Sequence, residues 1–385
     1  MSASTLPTST SVLVVGAGPT GLTVAIALAL RGHDITVVDD QAAGANTSRA
    51  AVVHAHTLEA LEPLGVSNRL VERGVHAPRF TIRDRDRVLV PVPFGQLPTA
   101  YPYTLMISQA ETEAILLQRL AELGGTVVRP ATVAGLDQDA DGVTVTFADG
   151  AQVRADYVIG ADGMHSTVRD QAGIAFDGAT YDESFALADV KLSGGVPDDE
   201  VILYFSPAGL VVVAPLPDGT HRIVATVDTA PPEPHAAFVQ HLLDSRGPVA
   251  DPVSVEDVVW SSRFRVHHRV ADTYRAGRII LAGDAAHVHS PAGGQGMNAG
   301  ITDAVALGSA LHSILSGASA TLLDDYTATR RPVAKQVVAL ADRLTRLATA
   351  DRALRPLRNI VLGVLGRLPA FRTRLARRLS GLVYR

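Results

Sequence analysis

The sequence predicts an α/β fold in which a parallel strand–helix–strand unit is followed by a mostly antiparallel β layer and a helical C-terminal segment. Three observations support this prediction. Apolar runs at residues 11–15 and 34–38 flank a helical pattern at residues 20–31. Residues 185–259 contain short strand-like runs separated by turn residues. Residues 333–385 follow a helical pattern, with breaks expected at two prolines.

Composition places the chain among globular proteins. Its 385 residues are 47% hydrophobic and 19% charged, enough for a large core in two or three domains or in one two-lobed unit. The net charge of −5 argues against a nucleic-acid partner. Cysteine is absent, which excludes disulfides, thiolate catalysis, iron–sulfur clusters and cysteine-bound zinc.

Neither end of the chain predicts an export signal or a membrane span. The first ten residues lack the basic region of a secretory signal, so we expect a cytoplasmic protein. Residues 11–30 are as long and apolar as a transmembrane segment, but three glycines and a proline interrupt them. Residues 367–385 are basic and amphipathic, which fits a surface helix packed on the body or a weak contact with a membrane surface or a partner.

Between the first unit and the second layer, the pattern predicts two helices and a meander. Residues 57–64 and 110–124 have helical spacing of their apolar positions. Residues 131–159 alternate strand-like runs with Asp-Gly turns, which predicts a small antiparallel meander.

The second layer is built from strand-like runs at residues 201–205, 210–214, 222–227 and 253–259. A hairpin at residues 79–92 is expected to join it, although it lies far away in the sequence. A buried strand at residues 278–282 and a helix at residues 300–315 follow the layer.

A glycine-rich turn joins the first strand to the first helix. Its sequence, Gly16-Ala-Gly18-Pro-Thr-Gly21, has the spacing and the strand–turn–helix context of the dinucleotide-binding fingerprint. Gly16 permits the tight turn, Gly18 lets the backbone approach a pyrophosphate, and Gly21 allows close helix–strand packing. Asp39 ends the second strand, where an acid would bind a ribose hydroxyl. We therefore predict dinucleotide binding; the alternative is a glycine-rich turn beside an incidental surface acid.

A second glycine-rich stretch, GDAAHVHSPAGGQGMNAG at residues 283–300, permits two interpretations. Asp284, His287 and His289 would suit a metal ion, because alternate residues of a strand share a face. The run then passes into glycine and proline, so no rigid scaffold follows, and we expect no metal here. The glycines would instead let main-chain N–H groups approach a flat ring, with the positive end of the next helix directed at its negative charge.

Three motifs in this order resemble those of the FAD-dependent aromatic hydroxylases, the single-component flavoprotein monooxygenases of the p-hydroxybenzoate hydroxylase type. The first is the glycine fingerprint with Asp39. The second, GADGMHSTVR at residues 160–169, is similar to the family's Asp-Gly motif. The third, at residues 278–304, is similar to its Gly-Asp motif. The segment around Arg49 and the helix start at Gln109 also resemble family signals. The resemblance covers about residues 10 to 340.

The resemblance implies roles for the polar residues of the first half of the chain. Asp39 would bind the adenosine ribose of FAD, Arg49 would lie near the pyrophosphate and ribitol, and Gln109 would lie near the flavin. Asp162 would contact FAD, and Gly163 would make room for it.

The resemblance assigns the third motif to the flavin ring. Asp284 would hydrogen-bond the ribityl chain, and Pro291 would lie beside the reacting edge of the isoalloxazine. The residues that would line the ring are Gly293, Gly294, Gly296, Met297 and Asn298.

The elements and the resemblance together predict a Rossmann-like FAD-binding domain with an inserted, mostly antiparallel β substrate domain and C-terminal helices. The FAD-binding domain would comprise residues 1–78, 98–180 and 265–335. The substrate domain would comprise residues 79–97 and 181–264, and residues 336–385 would form the C-terminal helical segment.

The second layer is expected to form the wall of the substrate site. Its candidate substrate contacts are Tyr204, Phe205, Val213 and Pro215, with Met106 near the flavin, and the alternative for each is sheet core. Arg222 lies in an apolar strand and would pair with a substrate phenolate or carboxylate, or with an acid of the sheet. His221 is the candidate base for a phenol proton. Because the layer lacks a cluster of positive charge, we expect a neutral polycyclic phenol rather than a small benzoate.

The resemblance implies an enzyme that uses NADPH or NADH and O₂ to hydroxylate a small aromatic molecule through a flavin C4a-hydroperoxide. Ring opening, Baeyer–Villiger insertion and epoxidation remain open as outcomes of the same chemistry. Two alternatives belong to other classes: a flavin oxidoreductase without oxygen transfer, and a non-catalytic FAD-binding protein. The expected partners are the aromatic substrate and O₂, and the expected assembly is a monomer or a homodimer.

Overall fold

Two β-sheets of eight strands each form the frame of the protein. The structure is a computed structural model that describes residues 6–44, 50–290, 293–348, 350–351 and 353–385, without the side chains of residues 180–183 and 265–266. Ten helices and a small three-stranded sheet accompany the two large sheets in these residues. The mixed α/β class predicted from the sequence is confirmed.

The strands in chain order are β1 (Ser9–Val15), β2 (Ile35–Val38), β3 (Val52–Val53), β4 (Val75–Ala77), β5 (Arg79–Asp84), β6 (Arg87–Pro93), β7 (Thr104–Met106), β8 (Val127–Val128), β9 (Val133–Gln138), β10 (Val143–Phe147), β11 (Gln152–Gly160), β12 (Phe176–Gly194), β13 (Glu200–Ser206), β14 (Gly209–Pro215), β15 (His221–Val227), β16 (Val253–Ala271), β17 (Arg275–Ala276), β18 (Ile279–Leu281) and β19 (His287–Val288). The helices are α1 (Pro19–Ala29), α2 (Ala55–Leu61), α3 (Ser67–Arg73), α4 (Gln109–Glu122), α5 (Thr167–Gln171), α6 (Ala236–Arg246), α7 (Gly296–Leu315), α8 (Leu322–Ala348), α9 (Arg355–Leu365) and α10 (Pro369–Leu379).

The first sheet has the strand order β17-β18-β11-β1-β2-β8, and β10 and β9 extend from β11. β1 pairs in parallel with β2 on one side and with β11 on the other, which confirms the predicted strand–helix–strand unit. The meander predicted at residues 131–159 is confirmed as β9, β10 and β11, paired in antiparallel fashion. The apolar residues of β1 and α1 are fully buried because helices cover this sheet.

The second sheet has the order β19-β16-β12-β15-β14-β13-β5-β6. Its pairings are antiparallel except for that of β13 with β5, which brings the predicted hairpin at residues 79–92 to the edge of the layer. The strand predicted at residues 253–259 is too short. β16 has 19 residues and pairs along its length with β12, which is equally long. Charged side chains within both strands hide the alternation that identifies a strand in sequence.

One prediction for the helices is corrected, and a second is confirmed. Only strand-like runs were predicted within residues 185–259, but this region also contains α6, whose Val239, Leu242 and Leu243 pack on the outer face of the second sheet. An eleven-residue helix with three buried apolar side chains gives a weak periodic signal. Pro356 and Pro369 do separate helices, and each lies in the first turn of the helix that follows, where no N–H donor is needed.

The predicted division into domains follows the two sheets, but two of its boundaries fall inside single strands. Residue 180 lies within β12 and residue 265 lies within β16, so these two long strands continue across the expected borders. The division therefore stays a prediction.

Candidate active site

Each of the three fingerprint glycines has a different structural environment. Gly16 has φ +102°, and a Cβ built there would overlap the carbonyl oxygen of Ala161. A Cβ on Gly21 would overlap the carbonyl oxygen of Gly16, so α1 can pack on β1 at this distance only with glycine. Gly18 has extended backbone angles, and no atom lies within 4 Å of a Cβ built there. The fold therefore requires Gly16 and Gly21, whereas Gly18 borders open space at the uncapped start of α1.

Asp39 lies at the end of β2, where its carboxylate meets the fingerprint turn. Its Oδ2 accepts a hydrogen bond of 2.7 Å from the N–H of Ala17, and the Nε of Arg129 lies 3.8 Å from its Oδ1. The acid and the glycine turn thus form one rigid unit. Its contact with the adenosine ribose stays a prediction.

The second motif makes a sharp turn at the end of β11. Asp162 accepts hydrogen bonds from the Ser166 hydroxyl at 2.6 Å and from the N–H of Val168 at 3.1 Å, so its carboxylate holds the start of α5. Burial raises the pKa of Asp162 against these hydrogen bonds. Gly163, with φ +79° and no atom within 4 Å of a Cβ built there, lines a cavity, and its role in making room for FAD stays a prediction.

The third motif forms a loop whose position is held by hydrogen bonds of the Asn298 side chain. Gly293 and Gly294 have φ of +88° and +62°. The Asn298 side chain accepts from the N–H of His54 at 2.8 Å and donates to the carbonyls of Val52 and Gly294. Asn298 was expected to line the flavin, but it does not line the cavity, because its side chain is used to hold the loop. α7 begins at Gly296 with no side-chain cap and no acid in its first turn, so its positive end is open to an anionic ring.

The cavity has a volume of about 490 Å³ and lies between the two sheets. The motif side includes Gly18, Gln109, Gly163, Asp284, Gly293, Gly294, Gly296 and Met297, with Met106 beside them. The second sheet contributes a mostly apolar wall of Phe185, Leu187, Leu203, Phe205, Val212, Ala214, Arg222, Val224 and Phe264. Most of the predicted flavin-facing positions among the described residues are therefore brought together at one cavity.

The predicted substrate contacts divide between the two faces of the second sheet. Phe205 lines the cavity, and its contact with a substrate stays a prediction. Tyr204 and Val213 do not line it: both lie in the hydrophobic cluster beneath α6, on the opposite face. Because side chains alternate along a strand, the cavity receives the neighbours Leu203, Val212 and Ala214 instead. For Tyr204 and Val213 the sequence left two possibilities open, a substrate contact or a place in the sheet core. Both residues lie in the core.

Pro215 and His221 are corrected in the same way. They face each other across β14 and β15, and neither lines the cavity. The Nε2 of His221 lies 3.6 Å from the exposed carboxylate of Asp198, and burial lowers its pKa. His221 is therefore not among the residues that line the cavity, and its role as the base for a phenol stays a prediction.

Arg222 points into the cavity, and its guanidinium is paired. Its Nε and Nη2 each donate to a different carboxylate oxygen of Asp189, at 2.7 Å, on the adjacent strand β12. The guanidinium also lies over the ring of Trp260. Among the described residues that line the cavity, Arg222 is the only arginine or lysine. The pairing with a sheet acid, one of the two partners predicted for Arg222, is the one observed.

Two predicted residues, Arg49 and Pro291, lie outside the described part of the chain. His287 donates to Asp303 at 2.6 Å, and His289 donates through Nδ1 to the carbonyl of Ser290 at 2.7 Å. In the described residues, no group of three acids or histidines has the arrangement of a metal site, and no helix has the length and apolar character needed to cross a bilayer.

The sequence missed several cavity residues. His54 lines the cavity, and Phe185 and Phe264 stack with ring centroids 5.4 Å apart in its wall. Phe185 and Phe264 are opposite each other on β12 and β16, so only the register of these two strands reveals the pair.

His54 makes the folded protein sensitive to acid. Burial lowers the pKa of His54, and that of His289, to about 4. Because the unfolded chain takes up its proton near pH 6.5, the stabilisation from each neutral histidine is complete above that pH and is lost as the pH falls towards 4.

We expect His54 and His289 each to lower the free energy of unfolding by about 2 kcal/mol between pH 7 and pH 5. His54→Gln should reduce that loss by this amount in urea titrations at the two pH values, and the exposed His241→Gln should leave it unchanged. An equal loss in wild type and His54→Gln would contradict the assignment.

Comparison with known proteins agrees with this geometry. The family model described as an FAD binding domain matches residues 9–341. The chain is 40% identical to 6-methylpretetramide 4-monooxygenase from Streptomyces rimosus over 353 residues, which cover 89% of this chain and 62% of that relative. It is 34% identical to pentachlorophenol 4-monooxygenase from Sphingobium chlorophenolicum, over 85% of this chain and 63% of the relative. The chain thus spans less than two thirds of the length of both curated relatives.

Solved structures show the same fold over nearly the whole chain. The structure of p-nitrophenol 4-monooxygenase from Pseudomonas putida DLL-E4 superposes with a TM-score of 0.86 at 28% identity, covering 98% of this chain and 99% of that one. The anhydrotetracycline hydroxylase from Streptomyces rimosus superposes with a TM-score of 0.79 at 34% identity, covering 97% of this chain and 76% of that one. Together with the match over residues 9–341, these likenesses show that the chain belongs to the FAD-dependent aromatic hydroxylases, the flavoprotein monooxygenases of the p-hydroxybenzoate hydroxylase type.

Proposed function

We propose that this protein is an NAD(P)H-dependent FAD monooxygenase that hydroxylates a neutral, polycyclic or phenolic aromatic molecule in the cytoplasm, where reduced nicotinamide is supplied. One observation carries the proposal: a single cavity has the three FAD motifs on one side and an apolar β wall on the other. A flavin ring and a flat substrate would therefore share one cavity. Similarity to monooxygenases of tetracycline precursors, pentachlorophenol and nitrophenol supports the aromatic substrate class.

The residues present fit FAD. Open space next to Gly18 and Gly163 would admit a pyrophosphate and ribitol close to the backbone, and the uncapped start of α1 would stabilise the phosphate charge. Asp39 would bind the ribose, and Asp284 would bind the ribityl chain. When bound, FAD supplies the redox chemistry, taking reducing equivalents from nicotinamide and using O₂ to oxygenate the substrate. The loop at residues 293–297 and the start of α7 would hold the ring and stabilise its negative charge.

The wall opposite the motifs favours a neutral, flat substrate. Phe185 and Phe264 offer stacked aromatic faces, and the aliphatic residues beside them exclude water. Asp189 neutralises Arg222, so the described lining residues offer no uncompensated arginine or lysine for a carboxylate substrate. These features support a polycyclic phenol over a small benzoate.

Removing the carboxylate of Asp189 should change the charge selectivity of the cavity. We expect Asp189→Asn to strengthen the binding of anionic aromatics such as benzoate by about tenfold, because the Arg222 charge gains a new partner. Neutral phenols should bind unchanged or more weakly. The measurement is the dissociation constant from the flavin absorbance change on titration. Asp198→Asn is the matched control, since Asp198 is exposed beside His221, away from the cavity. Unchanged benzoate affinity in Asp189→Asn would contradict the role given to the pair.

Anaerobic reduction of the flavin by NADPH, and then by NADH, tests the proposed activity. The rate should rise manyfold when one member of a panel of phenols and polycyclic aromatics is present, and that compound should then yield an oxygenated product in air. Fast reduction without any aromatic, and with no oxygenated product, would favour a flavin oxidoreductase. A protein that holds FAD but consumes no NAD(P)H would be a non-catalytic binder. Failure to take up FAD would overturn the whole proposal.

A further inference from the structure

Helix α9 exposes aliphatic side chains to solvent and buries two polar ones. A surface helix normally buries its apolar stripe and exposes its polar face. The buried residues of α9 are Leu362 and two polar residues, Arg358 and Asn359. Arg358 Nη2 and Asn359 Nδ2 each donate to the carbonyl oxygen of Phe205 at 2.9 Å, and Asn359 also donates to Asp84. Polar contacts therefore fasten the helix to the end of β13.

The outer face of α9 is aliphatic. Leu357, Ile360 and Val364 are 58%, 58% and 57% exposed, although residues of this type are commonly buried. Their spacing of three and four residues places them in one row on the helix. Together with Leu354 just before the helix and Leu368 three residues after it, the exposed aliphatic residues are Leu354, Leu357, Ile360, Val361, Val364 and Leu368. A continuous apolar row on a protein surface marks a contact site.

Positive charge borders this row. Residues 352–385 contain nine arginines and no acidic residue, although the whole chain has a net charge of −5. Arg367 is exposed directly after α9, and Arg374 and Arg377 are exposed on α10, which packs with α9 against β6. The guanidinium of Arg87, on β6, lies beside Gly363 in the middle of α9. The partner of this surface should therefore be both apolar and negatively charged.

A second copy of the chain fits this surface poorly. A helix of 11 residues is about 16 Å long, so two copies of α9 would cover only a few hundred Å² on each partner, whereas stable interfaces need about 800 Å². A two-fold contact would also bring two arginine-rich segments together. An anionic bilayer instead accepts the aliphatic row among its acyl chains and attracts the arginines. We propose that the outer face of α9, with the arginines of α10, docks the protein reversibly on an anionic phospholipid surface.

Co-sedimentation of the flavin-loaded protein with vesicles tests this proposal. The wild type should bind vesicles of phosphatidylcholine mixed with phosphatidylglycerol and should bind pure phosphatidylcholine much more weakly. Ile360→Glu with Val364→Glu should lower the partition coefficient by at least about tenfold, because the aliphatic groups no longer enter the bilayer. Arg374→Ser with Arg377→Ser should lower it by about fivefold for each arginine, and only on anionic vesicles.

Val249→Glu is the matched control, because Val249 is 56% exposed but lies in the loop after α6. It should bind vesicles as the wild type does, and all variants should keep the wild-type flavin content and thermal midpoint. A wild type that fails to sediment with anionic vesicles overturns the proposal, as does binding that Ile360→Glu with Val364→Glu leaves intact. If the wild type does not bind vesicles but forms a dimer in sedimentation velocity, and Ile360→Glu with Val364→Glu makes it monomeric, the surface is an interface between two copies of the chain instead.

Discussion

Gly18→Val should abolish flavin retention and leave the apoprotein folded. Gly18 has extended backbone angles that any residue can adopt, and no protein atom lies within 4 Å of a Cβ at this position. The valine side chain would therefore occupy the space where the pyrophosphate of FAD must approach the start of α1. Losing one or two charge-assisted hydrogen bonds to phosphate weakens binding by about 100-fold or more.

Flavin absorbance of the purified variant and calorimetric titration of its apoprotein with FAD measure this loss. The apoprotein should unfold at the same temperature as wild-type apoprotein. Gly135→Val is a suitable control, because a Cβ at Gly135 in β9 also meets no atom but lies outside the cavity. Gly21→Val should behave differently and fail to fold, since its Cβ would overlap the Gly16 carbonyl. Wild-type flavin content in Gly18→Val would refute the assigned position of the cofactor.

Asp303→Asn should lower the unfolding free energy by about 3–5 kcal/mol, because it leaves the buried charge of Arg330 uncompensated. Asp303 is almost fully buried in α7, where its Oδ1 accepts from Arg330 of α8 and its Oδ2 from His287 of β19, each at 2.6 Å. The Arg330 guanidinium also donates to Thr302 at 2.8 Å. These bonds join the third motif to two helices. We therefore expect Asp303→Asn to loosen the loop at residues 293–297 as well.

Urea titration at pH 7 measures the loss. Asp342→Asn is the control, because its partner Arg346 is largely exposed, and the change should stay within about 1 kcal/mol. Asp303→Asn with Arg330→Met should recover part of the stability, since no buried charge then remains. Equal stabilities for Asp303→Asn and the wild type would show that the buried pair contributes nothing.

The Asp303 carboxylate is also expected to make the free energy of unfolding fall at low pH. Burial alone would raise the pKa of Asp303, but the charges of Arg330 and His287 lower it below its usual value. Its stabilisation is therefore complete above the unfolded pKa near 4 and is lost as the pH falls below that value. This window lies below the one expected for His54, so the two effects are separable in pH-dependent unfolding.

Motif positions were predictable wherever local backbone geometry dictates the residue. Gly16 and Gly21 are required by a positive φ and by a close helix–strand approach, and both causes lie within a few residues or in the next strand. The parallel pairing of β1 and β2 follows from the strand–helix–strand pattern. The role of Asn298 was harder to predict, because its partners at residues 52 and 54 are more than 240 positions away.

The substrate wall shows where sequence reasoning fails. An error of one residue moves a predicted contact to the other face of a strand, as happened for Tyr204 and Val213. Both faces of the second sheet are apolar, because one face lines the cavity and the other packs on α6, so the usual alternation of polar and apolar residues gives no guide. The helix α6 itself was missed, and with it the reason that both faces are buried.

The sequence by itself determined the class of this protein, its FAD motifs and most of the motif residues that line the cavity, because those residues serve backbone turns and helix starts that form locally. The tertiary structure alone decided which face of β13 and β14 meets the cavity, that Asp189 neutralises Arg222, and that α9 directs aliphatic side chains outward. Each of these depends on the register of strands or on the docking of a helix against distant residues. No local pattern encodes such contacts, since they arise only when segments far apart in the chain pack together.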